Sequence, residues 1–227
     1  MADILSLGRI HGSFEKLANI NLPEPSCPAP NIMAPVLIVA GGAASLDADG
    51  LNTANELLKC GLHDFHGTVI SGGTTVGVPG CAGTIAEELG RQKHFRLLGY
   101  VPKNLPVEVP LDARYDLIVE AGENEFSAAQ VLQIWADILA SDIAPKSVFL
   151  VGIGGGTVSA LEYRIALALG ASVGIVTGTG GSADALLSDP LWLDRPNLYP
   201  LDCTPHSIRT FLTQDPEVDH SSCDANY

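Results

Sequence analysis

The chain has 227 residues, 46% of them hydrophobic, and its 12 basic against 26 acidic residues give a formal charge of −14. That length suffices for one large domain with a proper core, and the apolar content excludes a disordered chain. The charge repels nucleic acid and acidic membranes at long range, so neither is an expected partner.

No apolar run reaches the roughly 18 residues of a membrane span, and the start MADILSLGRIHGS has neither the basic end nor the apolar core of a signal peptide. A soluble, cytoplasmic protein with no direct membrane insertion is expected. The cysteines Cys27, Cys60, Cys81, Cys203 and Cys223 are widely spaced and form no CxxC pair, so they read as free thiols in a reducing compartment.

Residues 1–35 form a preamble. Phe14, Leu17 and Ile20 fit a short amphipathic turn or helix, and the prolines from Pro23 to Pro35 favour an extended linker or an arm laid on the domain. The domain proper is expected over residues 36–213, starting with the strand VLIVA from Val36 to Ala40, whose unbroken apolar run suits a buried parallel strand. Gly41 and Gly42 close it. Leu51, Ala54, Leu57, Leu58 and Leu62 then recur at helical spacing.

A second strand over Thr68–Ile70 runs into SGGTTVGVPGCAG, Ser71 to Gly83, and a helix follows on Ala82, Ile85, Ala86 and Leu89. Phe95–Val101 reads as a third strand. Leu111 to Glu123 carries no clear pattern. Ser127 with Gln130 fits a capping box for a helix reaching roughly Ala140, with Trp135 on its buried stripe.

Next comes the stretch VFLVGIGGGTVSALEYRIALALG, Val148 to Gly170, which reads as strand, tight glycine turn and helix. Such a turn lets a ligand approach the backbone, and the helix start offers unpaired N–H groups to an anion. Ser172–Val176 is a further strand and ends in TGTGGS, Thr177 to Ser182, with Ser182 expected to cap a short helix through Leu187. Leu198–Leu201 fits an edge strand, Thr204-Pro205 starts a last helix, and the acidic tail over 214–227 is expected to be loose.

Strands alternating with helices imply a Rossmann-like, doubly wound α/β fold with a mainly parallel sheet. The four glycine-rich turns then fall on one carboxyl edge, where such sheets bind ligands. The candidate ligand residues are Gly41, Gly42, Ser71, Gly72, Gly73, Thr74, Thr75, Gly77, Gly154, Gly155, Gly156, Thr157, Glu162, Thr177, Gly178, Gly180, Gly181 and Ser182. No GxxxxGK[ST] motif is present, and Gly152, Gly154 and Gly155 do not make the GxGxxG fingerprint.

SGGTTVGVPG with GIGGGTVSALEYR, preceded by VAGGAAS and followed by GTGGSADALLSD, resembles the SLOG superfamily of Rossmann-like nucleotide-binding domains, in the branch similar to the N-terminal region of TRPM channels. The resemblance implies a sensor of ADP-ribose, its cyclic relatives or another NAD-derived ligand, acting in a homo-oligomer or beside a fused effector, with no resident cofactor. A second branch is similar to the cytokinin-activating phosphoribohydrolases, with a PGGxGTxxE motif. This chain departs from it: Ile153 replaces the proline and Ala160 the glutamate. Glu162 lies about 200° around the helix from that position. Hydrolysis of a nucleoside monophosphate therefore stands as the alternative, with no catalytic residue assigned.

Several residues keep two readings. Ser159 with Glu162 fits a capping box, or Glu162 binds a ribose or base. Ser71, Thr74 and Thr75 cap a helix or bind phosphate. Arg164 favours an ion pair over a phosphate clamp, an aromatic near Tyr163 is open to stacking on a base, and His63 with His66 lacks a third ligand for a metal. Gly155→Val is expected to abolish ligand binding with the fold nearly intact.

Overall fold

The structure, a computed structural model, describes residues 21–42 and 46–213. The expectations for Phe14, Leu17, Ile20, Cys223 and the acidic tail lie outside the described residues. Seven strands form one parallel sheet in the order β4-β3-β2-β1-β5-β6-β7. They are β1 (Val36–Gly41), β2 (Gly67–Ser71), β3 (Phe95–Val101), β4 (Leu117–Glu120), β5 (Val148–Ile153), β6 (Ser172–Val176) and β7 (Leu198–Leu201). Strand β4, which lies in the stretch without a pattern, is short and half-exposed, so LIVE carries neither a long apolar run nor a clean alternation.

The helices are α1 (Ala48–Leu62), α2 (Gly77–Leu89), α3 (Ala128–Ala140), α4 (Thr157–Leu169), α5 (Gly181–Leu187) and α6 (Ser207–Leu212). One apolar layer packs α3, α4 and α5 against the sheet through Trp135, Tyr163 and Leu186, and the other packs α1, α2 and α6 through Leu58, Ile85 and Phe211. This is the doubly wound arrangement expected from the alternation of strands and helices. Burying a Leu or Phe side chain contributes roughly 1.5–3 kcal/mol, so these layers dominate the stability.

Helix starts show where local chemistry decides. Asp47 caps α1 by accepting from the Gly50 N–H at 2.9 Å. At α3 the capping box forms, with the Ser127 N–H donating to Gln130 Oε1 at 2.7 Å and the Ala129 N–H donating to Ser127 Oγ. The last helix starts at Ser207, two residues after Pro205, following a bend through 203–206.

The preceding segment crosses the α3 side of the sheet. Ser26 donates from its N–H and hydroxyl to the two carboxylate oxygens of buried Asp137, both at 2.7 Å, and the Tyr100 hydroxyl donates to the same carboxylate at 2.9 Å. Ile32 is buried in the core, and the Met33 N–H donates to Thr68 Oγ1. Among the described residues no helix is long and apolar enough to cross a membrane. Cys27, Cys60, Cys81 and Cys203 are free thiols.

Candidate functional site

The chain runs outward from β1 to β4 on one side, then returns through α3 to start β5 beside β1. Gly41 pairs with Ile153 at the ends of these two strands. From there one connection leads to α1 on one face and the other to α4 on the opposite face, leaving a crevice between them. Open α/β sheets bind ligands at this switch point.

The glycines around the crevice divide into two kinds. A Cβ on Gly41 would meet Val78 Cγ2 at 2.6 Å, one on Gly72 would meet Pro79 at 2.9 Å, and one on Gly152 would meet the Tyr163 ring at 2.8 Å. These positions are small because helices pack directly on the strand ends. Gly155, at φ +91°, would press a Cβ to 2.5 Å from Ser159 Cβ and 2.9 Å from the Tyr163 hydroxyl. Gly155→Val therefore strains the fold as well as the loop, contrary to the expectation that it leaves the fold nearly intact. Gly156 is exposed, and a Cβ there would meet nothing within 4 Å.

The β5–α4 and β6–α5 loops are knitted together. The amides of Ser182 and Ala183, in the first turn of α5, donate to the carbonyls of Gly155 and Gly154, both at 2.9 Å. The Gly154 N–H donates to Thr179 Oγ1 at 2.9 Å, and the Ser182 hydroxyl donates to the Gly156 carbonyl at 2.7 Å. Ser182 is thus a bridge to the neighbouring loop, and the cap position of α5 belongs to Gly180. Asp184 accepts from Gly178 N–H at 3.0 Å and Gly180 N–H at 3.1 Å.

Helix α4 opens differently. Gly156 is its cap residue with no side-chain cap, and the first backbone bond is Ala160 N–H to Gly156 carbonyl at 2.9 Å. The amides of Gly156, Thr157 and Val158 have no partner among the described residues. Thr157 is exposed beside them. With the positive end of a 13-residue helix behind it, this turn presents donors of the kind that can hold an anionic group. Because the helix starts at Thr157, Ser159 falls in its first turn and is buried, and the expected Ser159–Glu162 capping box does not form.

Helix α2 offers less. Val76 caps it without a side-chain bond, the Val78 N–H donates to the Gly42 carbonyl at 3.5 Å, and Pro79 has no N–H. The amides of Val76 and Gly77 have no partner among the described residues. The Ser71 hydroxyl donates to the Val39 carbonyl at 2.7 Å, and Thr177 Oγ1 to the Leu201 carbonyl at 3.2 Å. Thr74 is buried and bridges to Leu111, Gly73 accepts from the Asp112 N–H, and the Thr75 side chain is exposed. Ser71, Thr177 and Ser182 thus spend their hydroxyls on main-chain carbonyls.

Glu162 is half-buried, six residues into α4, about 8 Å along the axis from its first residue. It makes no hydrogen bond or ion pair among the described residues, and burial pushes its carboxyl up to about 7. Arg164, on the other flank of the buried Tyr163, donates to Asp189 at 3.2 Å and to the Ala160 carbonyl, so the ion-pair reading describes it. Tyr163 is fully buried and its hydroxyl donates to the Gly154 carbonyl at 3.2 Å. Its ring is therefore core, and burial pushes its hydroxyl well above the usual tyrosine range.

Three features carried no signal in the reading of the sequence. Thr179 and Asp184 organise the β6–α5 loop, and the only trace of them is a hydroxyl and an acid among the glycines of GTGGSAD. Asp112, buried beside α2, is held by Arg114 Nε at 2.7 Å and Nη2 at 2.7 Å, a pair that no spacing rule announces. His63 instead contacts Asp64 and His66 stacks on His94. Among the described residues no group of three or more His, Cys, Asp or Glu is placed to hold a metal.

Fold and crevice together define a Rossmann-like domain with the open start of α4 at its switch point. The profile of the family described as "SLOG in TRPM, prokaryote" matches residues 34–199, and the chain belongs to that family. A comparison with curated protein sequences found no match. Among solved structures the chain is similar to the molybdenum cofactor carrier protein of Chlamydomonas reinhardtii, at 22% identity and TM-score 0.54, covering 80% of this chain and 99% of that one. It is also similar to the molybdenum cofactor binding protein of Rippkaea orientalis, at 17% identity and TM-score 0.53 over 77% and 92% of the two chains. A third is DNA processing protein A of Streptococcus pneumoniae, at 12% identity and TM-score 0.52 over 78% and 61%. At these identities the likeness is one of fold.

Proposed function

We infer that this domain binds a nucleotide-derived small molecule and acts as a regulatory sensor, with ADP-ribose, cyclic ADP-ribose or a related NAD-derived compound as the ligand class. The observation that carries this reading is the open first turn of α4 at the β1/β5 crevice, where the amides of Gly156, Thr157 and Val158 face outward without partners among the described residues. One phosphoryl group sits there, supplemented by the Thr157 hydroxyl. A second phosphate uses the Val76 and Gly77 amides, which have no partner among the described residues, and Gly41, Gly42, Gly178 and Gly180 form the surrounding walls. Glu162, a carboxyl that titrates near neutrality, orients a sugar hydroxyl. The molybdenum cofactor named for two of the similar structures is itself a small molecule held by this fold, which supports ligand capture.

Ligand binding then biases an oligomer or a fused or associated effector, by the difference in affinity between its states. Exposed Val76 and Leu111, beside the Thr74–Leu111 bridge, give such a partner an apolar foothold at the rim.

One observation favours a second reading. A carboxyl near 7 suits a general acid or base, so Glu162 is the residue on which phosphoribohydrolase activity toward a nucleoside monophosphate rests. Multiple turnover of AMP to adenine and ribose 5-phosphate, lost in Glu162→Gln, establishes the hydrolase and sinks the pure sensor.

The deciding experiment is a thermal-shift screen of NAD, ADP-ribose, cyclic ADP-ribose and nucleoside monophosphates on the wild type and on Gly156→Val. The variant fills space that is open in the protein, so its own melting temperature stays near that of the wild type. The expected result is a ligand-dependent shift in the wild type and at least about a tenfold loss of affinity in the variant, about 1.4 kcal/mol. Indifference of the wild type to every compound, or equal affinity in Gly156→Val, overturns the reading.

A further inference from the structure

The opposite, amino edge of the sheet carries a shallow, open pocket that the glycine loops do not reach. It is lined by Met33, Lys93, His94, Phe95, Arg96 and Asp116, where β3 begins. Register places His94, one of its lining residues, beside His66. Gly67 pairs with Phe95 in adjacent parallel strands, so the residues just before them, His66 and His94, stand side by side. Their rings stack with centroids 4.7 Å apart and planes 6° from parallel.

The charges here are distributed unlike those elsewhere in this acidic chain. Lys59, Lys103, Arg114, Arg164 and Arg209 each hold a carboxylate. Within the cavity Lys93 holds Asp116 at 2.6 Å, and Asp116 also accepts from the Leu97 N–H at 2.7 Å, so that acid is spent. Arg96 is half-buried and has no carboxylate partner among the described residues. One Nη donates to the Asn31 carbonyl at 3.0 Å, which fixes the guanidinium and leaves the rest of its fork without a partner among the described residues. Arg91, a few residues earlier, is exposed and also without a carboxylate partner among the described residues. In a chain with 26 acids, Arg91 and Arg96 thus lie near each other on one edge without a carboxylate partner among the described residues, beside His94 and an apolar wall of Met33 and Phe95.

We propose that this cavity is a second binding site, separate from the crevice, for a small molecule with an oxyanion on a planar body. The Arg96 fork takes the oxyanion, and the exposed face of the His66–His94 stack, together with Met33, takes the plane. Arg96 also ties down Asn31 in the segment leading to β1, so occupancy is felt by that segment.

The probes are phenyl phosphate, benzoate and inorganic phosphate, titrated at constant ionic strength into the full chain while the imidazole C–H signals of His66 and His94 are followed by NMR. Saturable, concerted shifts of both histidines are expected with phenyl phosphate or benzoate, with half-saturation below about 1 mM. The tighter of the two names the oxyanion, and inorganic phosphate binds more weakly than phenyl phosphate. Arg96→Gln weakens binding about tenfold, whereas Arg91→Gln leaves it within about twofold. Because Arg96 is partly buried, His94→Ala provides a second variant at an exposed position: it weakens phenyl phosphate about threefold, read from His66 alone. Shifts that never saturate with either aromatic probe, equal affinity for phenyl phosphate and inorganic phosphate, or affinity unchanged in both Arg96→Gln and His94→Ala overturn the proposal. None of these readouts depends on the glycine-edge site.

Discussion

Helices α4 and α5 both start from glycine-rich loops on the same sheet edge, yet their first turns do opposite things. The amides of Ser182 and Ala183 in α5 are consumed by the carbonyls of Gly155 and Gly154, while those of Gly156, Thr157 and Val158 in α4 have no partner among the described residues. Glycine richness alone therefore does not mark a ligand site. What marks it is the fate of the backbone donors: one loop serves as the internal brace of the other. The acids follow the same division. Asp184 accepts from two amides of its own loop, and Glu162 accepts from none among the described residues.

The comparison breaks most severely at the contact between the two loops. Gly181 has φ +57° and the Gly155 carbonyl directly against it, so Gly181→Val is expected to cost at least about 3 kcal/mol and to remove ligand binding with the brace. Urea unfolding measures the first effect; a variant as stable as the wild type would show that the loops are not coupled.

The second test is on Glu162. Its folded value near 7 lies above the ordinary value of 4.5, so below pH 4.5 the group is protonated in both states and contributes no penalty. As pH rises from 4.5 through 7 the unfolded chain ionises first and stability falls. Glu162→Gln is therefore expected to be neutral at pH 4 and stabilising by up to about 3 kcal/mol at pH 8. A pH-independent difference would remove the buried-carboxyl account. The smallest effect belongs to Asp184→Asn, which weakens two hydrogen bonds from loop amides and is expected to lose about 1–2 kcal/mol by urea unfolding; unchanged stability would show that Asp184 does not hold the loop.

Inner strands were readable because most of their residues are apolar and buried: Phe95–Val101 and Ser172–Val176 have the bounds their composition predicts, as does the edge strand Leu198–Leu201. Half-exposed β4 offered no such pattern. The two S-x-x-E/Q patterns separate local from non-local causes: Ser127 begins its helix and caps it, whereas Ser159 lies in the first turn of a helix that already starts at Thr157. The glycine edge was legible as a place. Its division of labour was not, since whether the hydroxyls of Ser71, Thr177 and Ser182 face a ligand or the carbonyls of Val39, Leu201 and Gly156 depends on segments far apart in the chain.

The return of the chain from β4 to the centre of the sheet has a consequence for synthesis. Strand β1, VLIVAG, gains its second neighbour only when β5 pairs Val36 with Val148, after more than a hundred further residues have been made. Until then a nascent chain with β1 to β4 assembled exposes an apolar strand edge with unsatisfied backbone donors and acceptors, the template on which chains join one another. The edge of β1 that later pairs with β5 beside the crevice is thus, for a time on the ribosome, open to such pairing.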